Sequence, residues 1–179
     1  TEDDLDRMKR GLAKLVDQQV DLQRTAHPDI AFEVTGDEIE LTCDSRQIRQ
    51  ALTNLLQNAV ESIQARLGDG SEETPPAPGR VTVSLERLPD AVRILVADNG
   101  RGLPSEDRDR LTEPYVTTRE KGTGLGLAIV KKIMEDHGGS VVLKDGDDGG
   151  ALVELRFEVT TVTEAPSSTN DPEEPGTQD

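Results

Sequence analysis

Two asparagines four residues apart, a strand-ending aspartate and a run of alternate glycines are the groups in this chain whose types and spacing fit chemistry. Asn54 and Asn58 sit in "DSRQIRQALTNLLQNAVESIQARLG" and share one face of a helix. Their neighbours at that spacing are apolar, and amides among apolar side chains are costly without partners. They read either as the polar edge of an amphipathic helix or as oxygen ligands for a hard cation. Mg²⁺ takes only one or two protein oxygens and fills its shell with phosphate and water. Asp98 ends the apolar run "AVRILVAD" and precedes Asn-Gly-Arg-Gly. It reads as a common turn, or as an acceptor for an exocyclic amine such as that of adenine, where guanine offers a carbonyl. Gly100 and Gly102 would let a flat base lie close to the backbone.

The glycines Gly122, Gly124 and Gly126 open the helical pattern of "GTGLGLAIVKK". A helix N-terminus points unpaired N–H groups and a positive dipole end outward, so this stretch reads as a phosphate cradle. No Gly-Lys-Ser/Thr follows, so it is not a Walker A loop, and Gly126 falls one residue short of the dinucleotide fingerprint. Arg119 and Lys121 stand just upstream, as phosphate ligands or as plain loop charge. His27 precedes Pro28 in a loop-like stretch, and His137 stands at a helix end, where a cation is favourable. Neither has a Ser or Cys beside it to form a nucleophile–base pair.

These groups need elements to hold them. Leu5, Met8, Leu12, Leu15, Val16 and Leu22 follow helical spacing over residues 1–26. "HPDIAFEVTGDEIELTC" predicts two short strands around a turn at Gly36–Asp37. The long helix is capped by Asp44 or Ser45, carries the stripe Ile48, Leu52, Leu55, Leu56, Ala59 and Ile63, and ends at Gly68. "RVTVSLERL" and "AVRILVAD" predict paired strands around Pro89–Asp90. Residues 99–123 read as a functional loop with at most a short helix near 105–112. A helix over about 124–137 and the strands "SVVLKD" and "GALVELRFEVT" complete the order. Mixed helices and mainly antiparallel strands predict a two-layer α+β sandwich. Residues 161–179, rich in Pro, Ser, Thr and acids, read as a disordered acidic tail.

Bulk composition narrows the partners. The chain has 179 residues, suited to one domain with a tail. A formal net charge of -16 repels phosphate backbones, and aromatics amount to Phe32, Tyr115 and Phe157, so nucleic acid is excluded as a partner. The single cysteine, Cys43, forbids an internal disulfide and a multi-cysteine zinc site. No apolar run approaches the ~20 residues of a membrane span, so no membrane contact is expected of this stretch. The acidic start without an initiator Met reads as a fragment, cytoplasmic, of a parent that is itself compatible with an inner-membrane sensor.

Taken in order, "NLLQNAVES", "DNGRGLP", "EPYVTTREKGTGLGLAIV" and "DGGALVELRF" resemble the N, G1, F, G2 and G3 boxes of the GHKL (Bergerat, HATPase_c) ATP-binding fold. More narrowly, the chain resembles the catalytic ATP-binding domain of a bacterial sensor histidine kinase over about residues 28–160. "LTEPYVTTREKGTGLGLAIVKKIMEDHGG" is most similar to the nitrogen-regulation NtrY class. The resemblance implies ATP and Mg²⁺ as cofactors. It implies that Asn58 holds Mg²⁺, that Asn54 lines the same catalytic site and that Asp98 binds the adenine amine, with Gly100 and Gly102 shaping the base pocket. Residues 103–122 would form a mobile lid carrying Tyr115, in place of the usual Phe, with Thr117, Thr118, Arg119 and Lys121. Gly122, Thr123, Gly124 and Gly126 would line the phosphates, with Leu125 and Leu127 packing the helix down. Residues 1–27 would be a helical remnant of an upstream dimerisation and phosphotransfer region. That domain and, through the full-length protein, a response regulator are the implied partners.

Two departures stand out. Glu61 occupies a position where many such kinases carry a basic residue, and neither histidine has the flanks of a phospho-acceptor box. ATPases of the same fold, of chaperone or topoisomerase type, place a Glu where Asn54 stands, and an amide cannot activate water. Serine-kinase anti-sigma factors carry that Glu too. A nucleotide-dependent docking module is the remaining alternative.

Overall fold

The computed structural model describes residues 7–68, 76–106, 108–114 and 126–159. In chain order these form β1 (Arg7–Gly11), α1 (Leu12–Ala26), β2 (Ala31–Gly36), β3 (Glu40–Asp44), α2 (Ser45–Gly68), β4 (Arg80–Arg87) and β5 (Ala91–Asp98). A 3₁₀ turn at Arg108–Arg110, α3 (Gly126–Asp136), β6 (Gly139–Asp145) and β7 (Ala151–Glu158) follow. A five-stranded sheet has the order β2-β4-β5-β7-β6; β2 runs parallel to β4 and the other pairs are antiparallel. The helices cover one face: α1 meets β2 and β4, α2 meets β4 and β5, and α3 meets β6 and β7. This is the expected two-layer α+β sandwich.

Alternation makes the sheet one-sided. Val81, Val83 and Leu85 of β4 and Val92, Ile94 and Val96 of β5 are buried, and their registered partners Leu155 and Phe157 on β7 continue the same layer. The helices answer with Ile48, Leu52, Leu55, Leu56, Ala59 and Ile63 of α2 and Val130, Ile133 and Met134 of α3. Both described aromatics, Phe32 and Phe157, lie in this otherwise aliphatic core.

Helix α2 starts where a cap permits. Asp44 Oδ1 accepts from the backbone N–H of Arg46 at 3.0 Å and of Gln47 at 3.4 Å, so Asp44 rather than Ser45 is the cap. One expectation needs correction. Residues 7–11 are a strand paired antiparallel with β3, not helix, because Gly11 interrupts the helical stripe and the helix starts only at Leu12. Leu12, Leu15, Val16 and Val20 of α1 are buried in the main core. The strands flanking Gly36–Asp37 both form, but in different sheets: β2 pairs with β4 and β3 with β1. Asp37 N–H donates to Leu85 O at 3.1 Å, which turns the chain away from a hairpin. The short helix expected near 105–112 is the 3₁₀ turn. The second helix begins at Gly126, and the expected stretch 124–125 lies outside the described residues, as does the tail 161–179.

Candidate functional site

The site is built along one polar line on α2. Gln50, Asn54, Asn58 and Ser62 recur every fourth residue, one above another beside the buried stripe of this amphipathic helix. Gln50 Nε2 donates to Asn54 Oδ1 at 2.8 Å, and Asn54 Nδ2 donates to Gly126 O at 3.2 Å. The first turn of α3 is thereby fixed against α2. Gly126 also faces Asn58: a Cβ added there would lie 3.8 Å from Asn58 Oδ1 and 3.9 Å from its Nδ2. Asn58 thus stands beside the N-terminal turn of α3.

One turn beyond Asn58, Ser62 receives the segment that follows β5. Arg101 N–H donates to Ser62 Oγ at 3.0 Å and Ser62 O at 3.3 Å. Gly100 is buried on the Ser62–Ile63 backbone, 2.7 Å from Ile63 N for an added Cβ, so no side chain fits there. Gly102 has φ +83 and lies close to Gly149 O. The close approaches that demand glycine here are therefore made by the protein's own backbone, from α2 and from the β6–β7 turn.

Asp98 is locked at the end of β5. Its Oδ1 accepts from Gly100 N–H at 2.9 Å and from Ala151 N–H at 3.4 Å. The turn reading holds, and the carboxylate also joins β5 to the start of β7. Asn99 pins the neighbouring strand: its Oδ1 accepts from Arg80 N–H at 2.8 Å and its Nδ2 donates to Pro78 O at 2.8 Å. Asn54 and Ser62 are about 12 Å apart along the helix at 1.5 Å per residue. An acidic acceptor at one end and a helix N-terminus at the other thus share a single scaffold. Leu127 packs against the core. Tyr115, Thr117, Thr118, Arg119, Lys121, Gly122, Thr123, Gly124 and Leu125 lie outside the described residues.

The described part of the expected lid is tied to the sheet. Arg108 donates to Asp145 at 2.9 Å and to Pro104 O at 2.7 Å. The hydrogen bond from Arg108 holds the Asp145 carboxyl below its ordinary range. Sequence reasoning missed Gln50, Ser62 and Gly150, whose backbone abuts Asp98. The four-residue recurrence of polar side chains on α2 was the available signal for the first two.

A family model described as "Histidine kinase-, DNA gyrase B-, and HSP90-like ATPase" matches residues 43–161. The chain belongs to this family. It is 47% identical over 146 residues to the nitrogen regulation protein NtrY of Azorhizobium caulinodans, covering 80% of this chain and 18% of that protein. The chain thus spans about a fifth of the length of its curated relatives. Among solved structures, a mycobacterial sensor histidine kinase, MprB, superposes with TM-score 0.72 at 26% identity, covering 85% of this chain and 97% of that one. The catalytic domain of histidine kinase ThkA gives 0.71 at 27% identity, covering 84% and 96%. Within the family, this domain is the ATP-binding catalytic domain of a sensor histidine kinase. No described helix is long and apolar enough to cross a membrane.

Proposed function

We propose that this domain binds Mg·ATP along the α2 polar line and presents the γ-phosphoryl group to a histidine on a separate dimerisation and phosphotransfer domain of the same protein. The observation that carries the reading is the meeting of Asn54 and Asn58 with the N-terminal turn of α3 at Gly126. Asp98 accepts the adenine amine; Asn54 keeps α3 in register with α2; the α3 N-terminus takes the phosphates, helped by Arg119 and Lys121. The Asn58 amide is a neutral hard oxygen donor, and Gly126 leaves space beside it that a Cβ would occupy, so these residues fit Mg²⁺. Bound there, the ion neutralises phosphate charge. Phosphoryl transfer needs mainly positioning and charge neutralisation, which such a scaffold supplies. In the full-length protein a response regulator would receive the phosphoryl group; the relative named a nitrogen regulation protein favours a nitrogen-responsive parent.

The test is a titration of the chain with Mg²⁺ and a non-hydrolysable ATP analogue, beside the GTP analogue and an Asp98→Ala variant. Saturable binding that prefers adenine and is lost in the variant is expected. No binding at millimolar analogue would overturn the reading and leave a docking module on a kinase fold.

A further inference from the structure

His137 follows the last residue of α3, 93 positions from the residue it touches in sequence. Its Nδ1 lies 2.8 Å from Ile133 O, and its Nε2 lies 3.1 Å from the backbone N of Asp44. A carbonyl only accepts and an amide N–H only donates, so the two partners fix the ring: Nδ1 carries the proton and Nε2 the lone pair. In this arrangement the ring serves the Asp44 N–H as an acceptor. The ring also stands edge-on to Phe157, 6.3 Å between centroids at 89°.

The position of this contact gives it meaning. Asp44 caps the start of α2. About ten residues on, roughly 15 Å along the axis, Asn54 holds Gly126. On α3 the same interval of about 16 Å separates Gly126 from His137. The two helices run antiparallel, and α3 is tied to α2 at both of its own ends, by Gly126 to Asn54 midway along α2 in the nucleotide site and by His137 to Asp44 at the start of α2. Between the ties they share the apolar core, whose interdigitated side chains resist separation, and the directed hydrogen bond at each tie adds a specific register.

We propose that His137 is a positioning residue for the nucleotide site: it locks the far ends of α2 and α3 so that Gly126 stays in register with Asn54 and Asn58. This rests on the nucleotide-binding reading above. A small slip of α3 would move its N-terminal N–H groups off the phosphates, and misplacement of that kind is costly for a preorganised site.

The experiment uses the whole chain and two variants. In His137→Leu the ring is lost. In His137→Gln the side-chain oxygen can still accept from Asp44 N–H. Affinity for the Mg²⁺ complex of the ATP analogue is measured well below the melting temperature of each, together with nitrogen NMR of the ring in the unsubstituted chain. Loss of about fivefold in affinity for leucine, the worth of one hydrogen bond, and recovery with glutamine are expected, with a ring protonated on Nδ1. Three results would overturn the proposal: a leucine variant that melts earlier but binds equally well, a glutamine variant no better than leucine, or a ring protonated on Nε2. If leucine prevents folding, the ring tautomer and the glutamine variant's affinity decide. Should the unsubstituted chain bind no nucleotide, the function reading fails and this role with it; a Nδ1-protonated ring would then leave only a structural tie.

Discussion

At Gly126 folding and binding make opposite demands on one atom. A methyl group there would meet Asn58 at 3.8 Å, an ordinary contact, so Gly126→Ala fits the fold. Alanine in a helix is favoured over glycine by about 0.5–1 kcal/mol, so the variant should melt no earlier than the parent. The same methyl would fill the space beside Asn58 where phosphate and ion would lie, and affinity for the ATP analogue should fall by about tenfold or more. Calorimetric melting and a binding titration of the one variant check both halves; unchanged affinity would move the phosphates elsewhere. Asn54, Asn58 and Asp98 were legible in the sequence because polar groups interrupt apolar patterns there. The reason for Gly100 was not legible: glycine signals a close approach, but only the folded chain shows that the approaching group is the Ser62 backbone.

Among the elements, α2 could be read almost to the residue, because cap, stripe and terminating glycine agree locally. Strand pairing could not, since which strands join depends on distant segments; β2 beside β4 rather than β3 is such a case. The outer face of the sheet carries a second feature without local signature. Glu154 on β7 is 4% exposed, the one buried charged residue among those described, and it is held by Lys144 of β6 at 2.9 Å and Arg93 of β5 at 3.4 Å. Arg93 also hydrogen-bonds Glu86 of β4, so four strands are cross-linked by charge. The hydrogen bond from Lys144, then its charge and that of Arg93, outweigh burial and lower the Glu154 carboxyl below its ordinary value of 4.5. A carboxyl lowered in the folded state adds stability above its unfolded pKa, and that stability is lost as pH falls through the folded one. Glu154→Gln should therefore cost about 1 kcal/mol near neutrality, kept small by the solvent access of Lys144. The gap between the two melting curves should close in acid below the carboxylate range. A gap that widens in acid would contradict the assignment.

For the whole molecule, the decisive matter is what this domain does with ATP when its partner is absent. The motif resemblance puts Asn54 where hydrolytic members of the fold would carry a base, yet its oxygen accepts from Gln50 and its amide N–H donates to Gly126 O. An amide takes no proton from water, and this one is already committed to holding two helices together. His137, whose ring nitrogens are both engaged, is not placed to receive a phosphoryl group. The isolated chain should therefore bind Mg·ATP, release phosphate at no more than a trace rate, and acquire no label from γ-labelled ATP. Supplying the phospho-acceptor domain of the same protein should produce label on that second polypeptide, stable in base and lost in acid as expected of a phosphohistidine. Steady hydrolysis by the isolated chain, abolished by an Asn54 substitution, would instead make it an ATPase, and the tie from Asn54 to Gly126 would then have to break during turnover.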